Sequence, residues 1–511
     1  MTASEPRQPA VSESAPAAPD AVRADVVPVA ASRRSRARAG LTADDVLRYA
    51  ASCLPTCPGS RTVGIETEWL VVDRAASDRS VPPESTRAAL AALIGRPAKA
   101  SRQDPTARAA SASGTVGGDA SATEPTGAAL AEGSRITFEP GGQLELSGPP
   151  APLPLAVSRL ADDLADVRAA LADAGLGLAG MGLDPVRPPV RWLADRYAAM
   201  AGYWTANGQE AGEVMMCSSA SVQVNLDAGH DSLDVARRWR LAHQLRPVLT
   251  AMFAASPARL GALTGLRSAR AQVWESLDPT RTRPVGPAQV AAADVACHWA
   301  EYLLAARLMM VRDSPPDGPG PGDPDETGPR GALPHDANGH GDARLVSVRD
   351  GSTFGDWLRG AGPIGRPPML DDLVLHATTV FPPVRPRGWL EIRYLDAQPF
   401  DLWMVPVAVT AALLDDPVAA AGAASACCDA DEGWLTASVH GLADDTLRTA
   451  ALTCMDLALD ALGRLGAGSD LCAAVARFRD DYPARGRTPA DHLAERFTQV
   501  GPAGLLREET R

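Results

Sequence analysis

Lysine is almost absent from this chain: of 49 basic residues, Lys99 alone is not an arginine. It stands in Gly95-Arg96-Pro97-Ala98-Lys99, which is not the Gly-Lys-Ser/Thr ending of a P-loop, so that route to a nucleoside triphosphate is closed. Any polyphosphate bound here must be neutralised by arginines and metal ions. Positive charge is scarce altogether. With 62 acidic residues the formal net charge is −13, which argues against a phosphate backbone and so against a nucleic-acid partner. The eight cysteines, at 53, 57, 217, 297, 427, 428, 454 and 472, form no Cys-x-x-Cys pair and no Cys/His zinc spacing. Free thiols in a reducing cytoplasm are the expectation. Long hydrophobic runs are missing too. No stretch reaches the ~18 apolar residues of a membrane helix, and Asp415 and Asp416 break the most apolar C-terminal run. No apolar run follows Arg33, Arg34, Arg36 and Arg38, so no secretory signal is expected.

What is present suffices for a large core: 511 residues, 45% of them hydrophobic. Residues 1–40, rich in Ala, Pro, Ser and Arg, read as a disordered tail. Thr42-Ala43-Asp44-Asp45 reads as a helix start, an N-cap followed by an acidic first turn. From 41 to 505 we expect a single catalytic domain with flexible insertions at 98–133 and 313–342, both dominated by small residues, Pro, Gly or Asp. Leu160, Leu164, Val167 and Leu171 make a core-facing stripe on a helix over 153–175. Segments 233–255, 287–311 and 445–464 read as further helices. The last hundred residues look wholly helical and carry no chemistry.

The chemistry lies in short strand-like segments. In Val63–Val71, Glu66 and Glu68 stand at i and i+2 and share a strand face. Glu139 precedes the Pro140-Gly141-Gly142 kink and Glu145 follows it. Gln223 and Asn225 alternate with aliphatic residues in Ser221–Leu226, and Glu391 and Arg393 share a face in Trp389–Leu395. Any one such pair is ordinarily the wet side of an antiparallel sheet. Together they place five carboxylates, a Gln and an Asn among apolar neighbours. If those faces converge, the carboxylates cannot all stay ionised without cations. Hard oxygen-seeking ions such as Mg²⁺ suit them, and an adjacent arginine suits a transferring phosphoryl group.

Glu139-Pro140-Gly141-Gly142-Gln143-Leu144-Glu145-Leu146-Ser147-Gly148 resembles the signature of plant-type glutamate–cysteine ligases. Val63–Glu68 is similar to the first strand of that family. Met215-Met216 with Ser221–Asp227, and His376–Arg385 leading into Trp389–Arg393, resemble its later segments in the same order. The nearest branch is the actinobacterial one that supplies γ-glutamylcysteine for ergothioneine synthesis. The resemblance implies an α+β fold: a curved, mostly antiparallel sheet forming a funnel, backed by helices, as in glutamine synthetase and guanidino kinases. It implies ATP as co-substrate, glutamate and cysteine as the other small-molecule partners, and two or three Mg²⁺ ions. Its metal residues are Glu66, Glu68, Glu139, Glu145 and Glu391, with Gln223 at a neighbouring position. Arg393 and Glu391 take the catalytic places. Asn225, Arg393 and Arg385 fall to the nucleotide, while Arg270, Arg196 and Tyr197 fall to the substrates. Ala220 stands where the plant strand has a cysteine, so redox control through that thiol is not expected. Gln223 follows the plant type where the bacterial branch has His, and its neutral amide is a weaker ligand than imidazole for a third ion. A ligase of the same mechanism with another amine acceptor shares every one of these residues. A catalytically silent relative is disfavoured, since every matched glutamate is present.

Overall fold

The computed structural model describes residues 40–59, 61–94, 129–193, 196–286, 294–313, 344–430 and 433–510. Seven strands build an open sheet: β1 Val63–Asp73, β2 Arg135–Phe138, β3 Leu144–Ala151, β4 Leu176–Ala179, β5 Ser221–Leu226, β6 Val384–Pro386 and β7 Leu390–Asp396. Their order is β6-β7-β5-β1-β3-β2, with β4 beside the second half of β1, and every pairing is antiparallel. β1 runs down the middle, because Ile65, Trp69, Val71 and Val72 are β-formers that are buried where they lie.

Registration sorts the side chains into two faces. Ile65 pairs with Val224, Val224 with Ile392, and Ile392 with Val384, making one apolar row; Leu146 and Ile136 continue that face on the other side of β1. Helices cover it. α1 (Leu153–Asp173) turns Leu160, Leu164, Val167 and Leu171 inward, the stripe expected from spacing alone. α2 (Ser232–Met252) starts on an Asp231 cap and packs against β7. α4 (Met404–Asp415) packs on β5 and is buried from Val405 to Asp415, so it is a core helix, apolar all round. α5 (Asp445–Arg464) packs against it. A short helix, α3 (Ala269–Glu275), starts on a Ser268 cap.

Two boundaries differ from the sequence reading. The first insertion was expected to reach residue 133, but Leu130 is buried and Asp163 of α1 accepts the backbone N–H groups of Glu132 and Ser134, each at 2.9 Å. A carboxylate 29 or 31 residues away anchors that turn. The chain also continues in structure past 505: the helical segment Pro489–Glu508 is broken by a kink at Gly501, Glu509 and Thr510 are buried, and Arg74 donates to the Thr510 carbonyl at 2.6 Å. Of the helix expected over 287–311, residues 287–293 lie outside the described residues, Val295–Ala305 is helical, and Met310–Arg312 instead pairs with Leu345–Ser347 in a ribbon. The expected tail (1–39), residues 95–128 and residues 314–343 lie outside the described residues. All eight cysteines are free thiols. Among the described residues no single helix is long and apolar enough to cross a membrane.

Candidate active site

The polar face of the sheet is a grid. Glu66 of β1 faces Gln223 of β5 on one side and Ser147 of β3 on the other; Glu68 faces Glu145; Asn225 faces Gly64 and, across the other edge of β5, Glu391. Gly64 leaves room there: a Cβ would lie 3.2 Å from that of Asn225. The neighbours hold each acid. Ser221 donates to Glu68 through its backbone N–H at 2.8 Å and its hydroxyl at 2.9 Å, and Gln223 Nε2 adds a third bond at 3.0 Å. Asn225 Nδ2 donates to Glu66 at 2.8 Å, and Ser147 to Glu145 at 2.7 Å. Glu139 joins from the turn after β2, where its N–H donates to the Gln143 carbonyl.

Crowding shows in the acidities. Burial first, then the charge of Glu391, pushes Glu66 up to about 7. Burial and Glu68 push Glu139 up to about 8. Burial, with Glu66, Glu139 and Glu68 around it, raises Glu145 well above the carboxylate range. These groups are oxygen donors with more negative charge than their surroundings compensate. Among the described residues, however, no three His, Cys, Asp or Glu side chains are drawn together as a ready metal cage.

Glu391 behaves differently. Arg385 clasps it with Nε at 2.5 Å and Nη2 at 3.0 Å, Arg387 reaches it at 3.4 Å, and Arg393 at 3.1 Å. Four N–H contacts fill the roughly four acceptor sites of a carboxylate. Burial alone would raise this group, but the charges of Arg385, Arg393 and Arg387 hold it far below the usual range. Both expected site residues have protein partners here. In this arrangement Glu391 anchors arginines, and a metal role requires Arg387 or Arg393 to give way. Arg385, expected at the nucleotide, is buried and spends its fork on Glu391 and the Val380 carbonyl.

Arg393 and Arg270 both line a cleft that encloses about 500 Å³ of space, open solvent included. Arg393 Nη1 donates to Gln223 Oε1 at 2.8 Å, and its guanidinium lies 6.0 Å from the ring centres of both Trp274 and Phe381. Arg270, from the first turn of α3, donates to the Arg393 carbonyl at 3.0 Å and lies 5.8 Å from Trp274. Arg196 and Tyr197 do not line this cleft. Arg196 donates to Thr378 at 3.2 Å and its charge lowers Glu139, while Tyr197 packs with Met200 and Met215 in an apolar cluster against which Trp274 and Phe381 of the cleft also pack. Sequence reasoning missed Trp274, Phe381 and Trp434, which line the cleft, the last in the C-terminal part read as free of chemistry, and Arg387, which reaches Glu391. Trp274 lies four residues from Arg270, one helical turn on, and that spacing was the available signal.

His376, before the Thr378-Thr379 pair, is a packed residue. Its Nε2 lies 2.9 Å from the Leu303 carbonyl and its ring stacks on Phe354 at 5.0 Å. Burial, aided by Arg281, pushes it down to about 3. Unfolded histidine titrates near 6.5, so below that pH the unfolded chain takes up a proton that the folded one refuses. Its contribution to stability is whole above pH ~6.5 and falls by about 1.4 kcal/mol per unit as pH drops towards the folded value. We expect the fall in Tm between about pH 6.5 and 4 to be shallower in His376→Gln than in the parent. Equal slopes in a thermal-melt series would contradict this.

The polar face of this antiparallel sheet is thus floored by carboxylates and rimmed by arginines. The profile of glutamate-cysteine ligase family 2 (GCS2) matches residues 62–510, and the chain belongs to that family. It is 43% identical over 383 residues to the glutamate–cysteine ligase EgtA of Mycolicibacterium smegmatis, covering 74% of this chain and 82% of that one. The EgtA of Mycobacterium tuberculosis is 40% identical over 382 residues, 74% of this chain and 80% of the relative. The chloroplastic glutamate–cysteine ligase of Arabidopsis thaliana is more distant, 28% identical over 71% of this chain and 66% of its own. Among solved structures, the glutamate–cysteine ligase of Francisella tularensis in complex with AMP superposes with a TM-score of 0.48 at 14% identity, over 88% of this chain and 87% of that one.

Proposed function

We propose that the chain joins the γ-carboxyl of glutamate to the amine of cysteine at the expense of ATP. A γ-carboxylate oxygen attacks the γ-phosphorus of ATP and ADP leaves. The cysteine amine then attacks the acyl carbon, loses a proton, and phosphate departs with the oxygen that had bridged carbon and phosphorus. The observation that carries this reading is Arg393. It lies between an acid floor and a second arginine, 2.8 Å from Gln223 and 3.1 Å from Glu391, where a phosphoryl group could be clamped against both.

The floor fits magnesium by the chemistry of its donors, which are oxygens whose mutual repulsion raises their acidities. Glu66, Glu68, Glu139 and Glu145 would hold two or three ions, with Gln223 beside them. Glu391 joins where Arg387 and Arg393 exchange it for phosphate oxygens. Bound there, Mg²⁺ supplies fixed positive charge to the phosphates. Arg393 holds the transferring phosphoryl group, Asn225 fixes Glu66 on the nucleotide side, and Arg270 binds a glutamate carboxylate. A funnel-like curvature of the glutamine synthetase and guanidino kinase kind belongs to this reading. So do a cytoplasmic location, where free thiols and ATP coexist, and a supply of γ-glutamylcysteine to ergothioneine synthesis.

The test is to incubate purified protein with ATP, Mg²⁺, glutamate and a panel of amino-acid acceptors, with the products identified by mass spectrometry. γ-Glutamylcysteine and ADP, formed together and dependent on cysteine, are expected. Turnover with a different acceptor and none with cysteine would overturn the assignment while leaving the ligase chemistry.

A further inference from the structure

We infer that Asp396 is a positioning residue for substrate glutamate: it fixes the start of α3 and so aims Arg270 into the cleft. This rests on the reading of Arg270 given above. Asp396 closes β7, three residues after Arg393, and is 3% exposed. Its Oδ2 accepts the Ala255 N–H at 2.9 Å and the Ser256 hydroxyl at 2.7 Å; its Oδ1 accepts the Ser268 hydroxyl at 3.1 Å and lies 3.7 Å from Arg270 Nη1.

The two hydroxyls do double duty. Ser256 Oγ accepts the backbone N–H of Arg270, and Ser268 Oγ, the N-cap of α3, accepts that of Ala271, both at 3.1 Å. By taking their protons, the Asp396 carboxylate leaves both oxygens oriented as acceptors for the first turn of α3. One buried acid therefore orders two cap bonds and faces the guanidinium that the same turn carries. Space for it is left by Gly182, where a Cβ would lie 2.4 Å from the Asp396 carboxyl carbon. Strand β7 thus sets both arginines of the cleft, Arg393 by its own side chain and Arg270 through Asp396.

Asp396→Asn keeps the shape but replaces one acceptor oxygen with a donor, so one hydroxyl or N–H loses its partner. Bonds to a charged group are worth enough that the KM for glutamate should rise on the order of ten-fold or more, with the KM for ATP unmoved. Ser268→Ala should move the same constant in the same direction, and Ser268→Thr, which restores a capping hydroxyl, should bring it back. Those two variants carry the test if Asp396→Asn does not fold. Arg270→Lys is measured alongside. If Arg270→Lys leaves the glutamate KM unchanged, the reading of Arg270 is wrong. If Arg270→Lys raises it while folded Asp396→Asn and Ser268→Ala do not, or if both raise the ATP KM equally, the positioning role is overturned.

Discussion

Glu66→Gln is expected to stop turnover and leave the protein at least as stable as before. The substitution keeps volume and keeps an acceptor for Asn225, which donates to Glu66 at 2.8 Å. It removes one charge from a floor where burial and Glu391 already push this carboxyl up to about 7. Relief of that repulsion costs the fold nothing. Losing a fixed charge from the reacting site is expected to cost on the order of 10²–10³ in kcat. Glu391→Gln should do the reverse to the fold. It strips the partner from Arg385, itself buried, and leaves Arg387 and Arg393 to repel one another. Breaking a buried pair from one side destabilises by roughly 3–5 kcal/mol. Thermal melts and steady-state rates on the two variants separate the roles. A folded Glu66→Gln enzyme of near-normal rate refutes the acid floor, and an undiminished Tm in Glu391→Gln refutes the anchor.

Arg393→Lys should depress kcat far more than it raises the KM for either amino acid. Lysine keeps the charge but loses the planar guanidinium, whose Nη1 reaches both Gln223 and Glu391 and whose centre lies 6.0 Å from the rings of both Trp274 and Phe381. An arginine that stabilises phosphoryl transfer is worth on the order of 10³ in rate. Arg270→Lys should instead weaken glutamate binding with kcat largely kept. Measured at saturating ATP, a pure glutamate KM effect in Arg393→Lys means that the two arginines have exchanged roles.

The acid floor was legible because a strand repeats every two residues: Glu66 and Glu68, Gln223 and Asn225, and Glu391 and Arg393 declare a shared face before any partner is known. The helices were legible for the matching reason, as the Leu160–Leu171 stripe shows. What stayed hidden depends on register and on distant chain. Whether Glu391 binds a cation or collects arginines is decided by the β6–β7 pairing, which sets Arg385 opposite it, and by the turn that returns Arg387. The letter is the same in either case. Asp396 draws its partners from residues 255, 256 and 268, and nothing within its own strand announces them. The Asp163 anchor of the Leu130 turn escaped for that reason too, since small residues around it read as loop. Trp434 escaped because its segment was read for packing alone.

The most direct test of the account follows oxygen. Glutamate labelled with oxygen-18 in its γ-carboxyl is turned over with ATP, Mg²⁺ and cysteine, and the released phosphate is weighed by mass spectrometry. Passage through γ-glutamyl phosphate moves one labelled oxygen from glutamate to each phosphate, alongside γ-glutamylcysteine that retains the other. Phosphate released without label, in step with product, would contradict the phosphoryl-transfer mechanism at the centre of this account.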